Sequence, residues 1–139
     1  MTVAVAGIWE LGWNTPIKEM DLWEYPLRDF GVDAFYMAPV SGIQNQQVIE
    51  RHSIEEVLAD NDDLIHVYVD ERGTYSLPEF AHPKNALYIF GRANRSLLSL
   101  ARPGDITLRI PTPHNLATLW QHQCAALVLY DRFMKEQGD

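Results

Sequence analysis

Five short runs of β-branched and aromatic residues, each almost continuously apolar, constrain this chain more than any other feature. They are Thr2–Ile8, Ala34–Met37, Leu64–Val69, Ala86–Phe90 and Ile106–Ile110. A strand with one wet face alternates polar and apolar side chains, whereas these do not, so both faces are expected to be buried. Helical patterns lie between them. The expectation is an α/β fold, a mostly parallel sheet with helices on both faces. Ile17–Phe30 reads as a helical connector that Pro26 should kink or restart, because proline lacks a donor and crowds the preceding turn. Ser53-Ile54-Glu55-Glu56 has the form of a capping box and should start a short helix. Glu71–Asn85, with Gly73, Pro78 and Pro83, reads as a long surface connection. A last helix is expected from about Thr118 to Lys135, with Leu119, Gln123, Ala126, Leu127 and Tyr130 as the stripe packed on the sheet. Lys135 in its last turn suits the helix dipole. No repeat or linker interrupts the pattern, which gives one domain over residues 1–139.

At 139 residues and 47% hydrophobic content, roughly 68% of the unfolded surface can be buried, so the core needs neither metal nor disulfide to close. Cys124 is the lone cysteine, which fits a reducing compartment. No run approaches the ~18 apolar residues of a spanning helix, and the N-terminus lacks the basic start of a signal peptide, so a cytoplasmic protein is expected. Eleven Lys and Arg stand against 19 Asp and Glu, a net charge of −8. A protein that grips nucleic acid mainly by neutralising phosphates has the opposite balance, so any RNA role needs a local basic patch or a partner subunit.

Strong chemical motifs are absent: no P-loop, GxGxxG, GxSxG, HExxH or CxxC. The five histidines lack metal-ligand spacing, and no metal site is expected. His66, mid-strand, reads as a hydrogen-bonded core residue. Asp60-Asn61-Asp62-Asp63 lacks the Gly and distal Glu of a calcium loop and reads as a solvated helix end. Trp9, Trp13, Trp23 and Trp120 are not interleaved with basic residues, which favours core or subunit-interface packing over base stacking. Asn85 to Arg132 is the informative stretch. One strand ends at Phe90-Gly91 before the polar loop Arg92–Ser96, the next ends at Ile110-Pro111, and ligands of open α/β sheets bind at such carboxyl ends.

Three segments of this chain resemble a known family. NALYIFGRANRSLL, ITLRIPTP and TLWQHQCAALVLYDR are similar, in that order, to the second and third motifs of SpoU-type (TrmH-like) RNA methyltransferases of the SPOUT superfamily. Trp13-Asn14-Thr15, followed by a helix ending at Phe30-Gly31, resembles the first motif. The resemblance implies an α/β domain with a C-terminal deep trefoil knot and a homodimer with the cofactor site near its interface. It also implies S-adenosylmethionine as cofactor and methyl transfer to a ribose 2′-hydroxyl of tRNA or rRNA. On this resemblance Val69, Gly91, Ile110, Thr118 and Leu119 are the cofactor-binding positions, and Asn14, Arg95 and Asn115 the catalytic candidates.

The chain departs from the family where chemistry is concentrated. Ala93 stands where a Glu is usual, Ser96 replaces a Gly, and Tyr25 falls at the usual Arg, with Lys18 or Arg28 as possible substitutes. Trp120 falls at the third motif's Asn on one alignment, while Asn115 matches the motif but five residues early. A ribose hydroxyl is a poor nucleophile that needs a positioned proton acceptor. Two readings of different class therefore stand: a methyltransferase, and a catalytically degenerate homodimer that binds cofactor, RNA or protein. An unrelated α/β phosphate binder is a third, without a Gly-rich loop to support it. For RNA, Arg92 and Arg95, with Arg28 and Lys18, are the residues proposed to reach phosphates.

Overall fold

The structure is a computed structural model and describes residues 1–10, 16–92, 95–113 and 119–137. Its strands are β1 (Val3–Ile8), β2 (Ala34–Ala38), β3 (Ile49–Glu50), β4 (Ile65–Val69), β5 (Tyr75–Ser76), β6 (Ala86–Phe90) and β7 (Ile106–Arg109); its helices are α1 (Pro16–Asp29), α2 (Ile54–Asp60) and α3 (Gln121–Gln137). The seven strands form one sheet in the order β3-β2-β1-β6-β4-β7-β5, and every pairing is parallel. All five strands expected from the sequence are present.

Side chains alternate across the sheet and build two cores. On one face Val3, Val5, Val67, Ala86, Tyr88 and Phe90 pack with Met20, Trp23 and Leu27 of α1 and Ala125, Val128 and Leu129 of α3. On the other, Ala4, Ala6, Ile8, Tyr68, Leu87 and Ile89 pack with Ile54 and Val57 of α2 and with Leu97. Both faces being covered explains why the strands read as unbroken apolar runs. Helix ends follow local rules. Pro16 opens α1, where its missing N–H costs nothing. Gly31, at φ 66°, closes it while the Val32 N–H returns to the Leu27 carbonyl, the Schellman arrangement. In α2, Ser53 accepts from the Glu56 N–H; Glu56 reaches back to His52 rather than Ser53. In α3, Gln123 accepts from the Trp120 N–H.

Four expectations change. Helix α1 continues through Pro26 and does not restart there. Glu71–Asn85 is largely exposed, as a surface connection should be, but it is not a plain loop, since it contains β5 and a 3-10 turn at Leu77–Glu79 and buries Leu77 and Phe80. Helix α3 starts at Gln121 and packs through Gln121, Ala125, Val128, Leu129 and Arg132. The expected stripe faces elsewhere: Leu127 is 43% and Tyr130 53% exposed. Lys135 stands in the last helical turn as expected, and its ammonium also donates to the carbonyls of Leu77 and Phe80 and pairs with Asp131. His66 does make the expected hydrogen bond, its Nε2 lying 2.9 Å from the Asn61 carbonyl. Asp60, Asp62 and Asp63 are exposed, but Asn61 between them is buried and caps α2 through Val57. No described helix is long and apolar enough to cross a membrane.

Candidate active site at the carboxyl ends of the strands

Because all strands are parallel, their carboxyl ends lie along one edge. Register places Val69 opposite Phe90 on one side and Leu108 on the other. Val69, Gly91 and Ile110, expected to hold a cofactor, thus sit at three neighbouring strand ends. Val69 and Ile110 are partly buried and pack against the core. Gly91 is dictated by space, since a Cβ there would lie 2.7 Å from the Arg95 carbonyl oxygen. That contact arises because the Arg95 N–H returns to the Arg92 carbonyl and folds the loop tightly over β6. Ser96 ties the loop to the end of β4 through Asp70 Oδ2 at 2.7 Å. Leu119 is partly buried just before α3. Asn14, Asn115 and Thr118, with Ala93 and His114, lie outside the described residues.

The basic residues separate into two groups. Arg92 and Arg95 share the loop after β6, and Arg72 and Arg109, which no sequence motif marks, stand at the ends of β4 and β7. Arg72 is 65% exposed, beside Asp70. Arg109 holds the carbonyls of Gly73 and Thr74. Arg28 does not belong with them. It closes α1 at the opposite end of the sheet, where it lines a cavity with Val32, Asp33 and Ala34 at the amino end of β2 and lies 5.1 Å from the Tyr25 ring centroid. Tyr25, one turn earlier on the same helix, is 59% exposed. Lys18 is exposed on the first turn of α1.

The polar centre of this edge was not legible in the sequence. Beyond the last β1–β6 pair, Ala6 with Ile89, the Ile8 peptide is taken over by the Gln121 carboxamide. Oε1 accepts from the Ile8 N–H at 2.8 Å, and Nε2 donates to the Ile8 carbonyl at 2.6 Å and to Glu10 Oε1 at 2.7 Å. Gly7 makes room, since a Cβ there would lie 2.8 Å from Gln121 Oε1 and 3.1 Å from the Trp23 ring. The Glu10 N–H donates to Glu19 Oε1 and Trp23 Nε1 to Glu19 Oε2. Glu19 is 1% exposed, and burial raises its pKa above the usual carboxylate range. Arg92, close enough to act on Glu19 electrostatically, has its Nε buried without a hydrogen-bond partner. Orphaned buried donors are rare in a native fold and mark a place for a ligand or water. His122 follows Gln121; burial lowers its pKa, with Glu10 acting in the opposite direction. The Cys124 thiol is pushed up to about 11 by burial and is not a nucleophile at neutral pH. Among the described residues no group of three His, Cys, Asp or Glu side chains could hold a metal.

Neither a family model nor a curated protein matches the sequence; the likeness to known proteins is structural. The SpoU methyltransferase AviRb from Streptomyces viridochromogenes, solved with AdoMet (S-adenosylmethionine), superposes with a TM-score of 0.78 at 15% identity, covering 98% of this chain and 58% of that one. A structure concerned with 2-OH methylation of C/U34 on tRNA gives 0.74 at 14% identity, covering 99% and 93%. An RNA 2′-O ribose methyltransferase gives 0.76 at 16% identity, covering 98% and 57%. Over nearly its whole described length, the chain has the fold of SpoU-type RNA methyltransferases.

Proposed function

We propose that this protein is an S-adenosylmethionine-dependent RNA 2′-O-methyltransferase, acting in the cytoplasm on tRNA or rRNA as a homodimer of one-domain chains. The observation that carries the reading is the set of adjacent strand ends Val69, Gly91 and Ile110, beside the polar centre of Glu10, Glu19, Arg92 and Gln121, on a fold shared with RNA methyltransferases. Val69 and Ile110 offer apolar walls and Gly91 close backbone approach, which suits an adenine ring and its edge. With Thr118 and Leu119 they would hold the cofactor, and the unpartnered Arg92 Nε suits a carboxylate such as that of its methionine moiety. The bound cofactor supplies an electrophilic methyl group. In this reading the C-terminal segment threads the trefoil knot that the resemblance implies.

RNA would enter over Arg92 and Arg95, with Arg72 and Arg109 extending the basic edge. Asn14 and Asn115 remain candidates to orient the ribose. Incubation with labelled cofactor and total RNA, followed by mapping of ribose methylation, tests the activity; the expected outcome is 2′-O-methylated nucleotides, and cofactor binding without transfer would overturn it. That outcome would instead support the second reading, a non-catalytic binding homodimer, which Ala93, Trp120 and the net charge of −8 favour. Arg95→Ala should weaken RNA binding several-fold while calorimetric cofactor affinity stays unchanged.

The apolar residues exposed on α3, Leu127, Tyr130, Phe133 and Met134, support a second copy as partner. Phe30, just past the end of α1, extends this face, its ring 6.3 Å from those of both Tyr130 and Phe133. The same helix begins at the site, so its pairing would set two sites beside one interface.

A further inference from the structure

We propose that His122, assisted by Glu10, accepts the proton of the methylated hydroxyl in the crevice between the carboxyl ends of β1 and β6. The proposal rests on the methyl-transfer reading and goes beyond it by assigning a base. From β1 the chain leaves through α1 toward β2 on one side, and from β6 it leaves toward β7 on the other, so the strand order reverses between these two neighbours. Open α/β sheets bind ligands at such a switch point. The cofactor positions Val69, Gly91 and Ile110 lie on the β6-β4-β7 side of it, which leaves the β1 side for the acceptor.

His122 reaches that crevice because the Gln121 carboxamide fastens the first turn of α3 to the Ile8 peptide. Its ring lies 6.2 Å from that of Trp120 and 6.4 Å from that of Trp23, centroid to centroid, and makes no hydrogen bond to any described residue. The indole rings and the core behind them keep the imidazole neutral near pH 7. Glu10 is the charged group that acts on it; Glu19 and Arg92 stand beyond Glu10. At two of the usual catalytic positions, Trp120 and Ala93 cannot accept a proton. In the step, the hydroxyl oxygen forms its bond to the methyl carbon as its proton passes to His122. The former carbon–sulfur bonding pair stays on sulfur as a neutral thioether, and the imidazolium, favoured by the Glu10 charge, returns its proton to water. Charge is conserved, one sulfonium giving one imidazolium.

Two measurements test this. In the NMR titration of the histidine ring protons, His122 should titrate below pH 6.5 in the intact protein and lower still in Glu10→Gln; a midpoint at or above 6.5 that ignores Glu10→Gln overturns the proposal. In transfer assays with total RNA and labelled cofactor, His122→Asn should lose about 10²–10⁴-fold in rate, the range for a positioned base, with calorimetric cofactor affinity unchanged. The wild-type rate should rise with pH through the midpoint found by NMR, and that dependence should vanish in His122→Asn and His122→Gln. Folded variants that transfer at the wild-type rate overturn the base assignment and leave the methyltransferase reading standing. A wild-type protein without transfer overturns both.

Discussion

Gln121 shows how one side chain can do the work of a strand. The end of β1 projects past its neighbour β6, so Ile8 would bury an N–H and a carbonyl without partners, and each such group costs about 1–3 kcal/mol. The carboxamide offers one acceptor and two donors, the set that this peptide and Glu10 require. Gln121→Leu keeps the volume and removes every partner. Chemical denaturation should show a loss of about 2–4 kcal/mol. In the sequence Gln121 is one more polar residue at a helix start. Only the position of Ile8, 113 residues away, gives it meaning.

At the scale of elements, α3 and the segment before β6 hold each other. Arg132 donates to the Tyr88 hydroxyl and to the carbonyls of Pro83 and Lys84, and His82 bridges Tyr88 at 2.7 Å and Asp131 at 2.8 Å. Since Arg132 can only donate, the Tyr88 hydroxyl gives its proton to His82 Nδ1, and His82 Nε2–H donates to Asp131. The network thus needs a neutral imidazole. Burial lowers the His82 pKa despite Asp131, so the unfolded chain binds the proton more readily than the native one. The associated stability is complete above the unfolded pKa of about 6.5 and is lost as pH falls from there toward the folded value. Unfolding free energy should therefore decline on acidification below pH 6.5, and His82→Gln should reduce that slope by up to one proton, about 1.4 kcal/mol per pH unit. His122, also lowered, contributes in the same direction. Pro78 and Pro83 signalled a loop because backbone propensity is local, whereas burial of Leu77 and Phe80 is set by α3 passing over them.

For the whole molecule, charge and surface argue together. Against a net charge of −8, Arg72, Arg92, Arg95 and Arg109 stand after β4, β6 and β7 at the carboxyl edge, beside the acidic Glu10, Glu19 and Asp70. If RNA binds there, its affinity should fall steeply with added salt, and the slope of log affinity against log salt should shrink by about one for each arginine removed. The exposed face of α3 makes a separate prediction. Sedimentation should show a dimer, and Tyr130→Asp, which places a charge among Phe30 and Phe133, should give a folded monomer with native circular dichroism; an unchanged dimer would move the interface elsewhere. Isologous pairing of one apolar patch is the commonest route to a two-fold dimer.

Local sequence chemistry determined the strands, the caps at Ser53 and Gly31 and the parallel, doubly covered sheet, because a strand buried on both faces must be apolar throughout. The strand ends that bear Val69, Gly91 and Ile110 followed from that pattern. The face of α3 did not. Residues 125–130, Ala-Ala-Leu-Val-Leu-Tyr, are apolar around the whole helix, so a 3.6-residue period fits two stripes equally well. The choice fell to Ala125, Val128 and Leu129 because that stripe also turns Gln121 to Ile8 and Arg132 to Tyr88. The polar centre of Glu10, Glu19, Arg92, Gln121 and His122 was likewise decided by tertiary structure alone: its members come from four segments that only the order of the strands brings to one crevice.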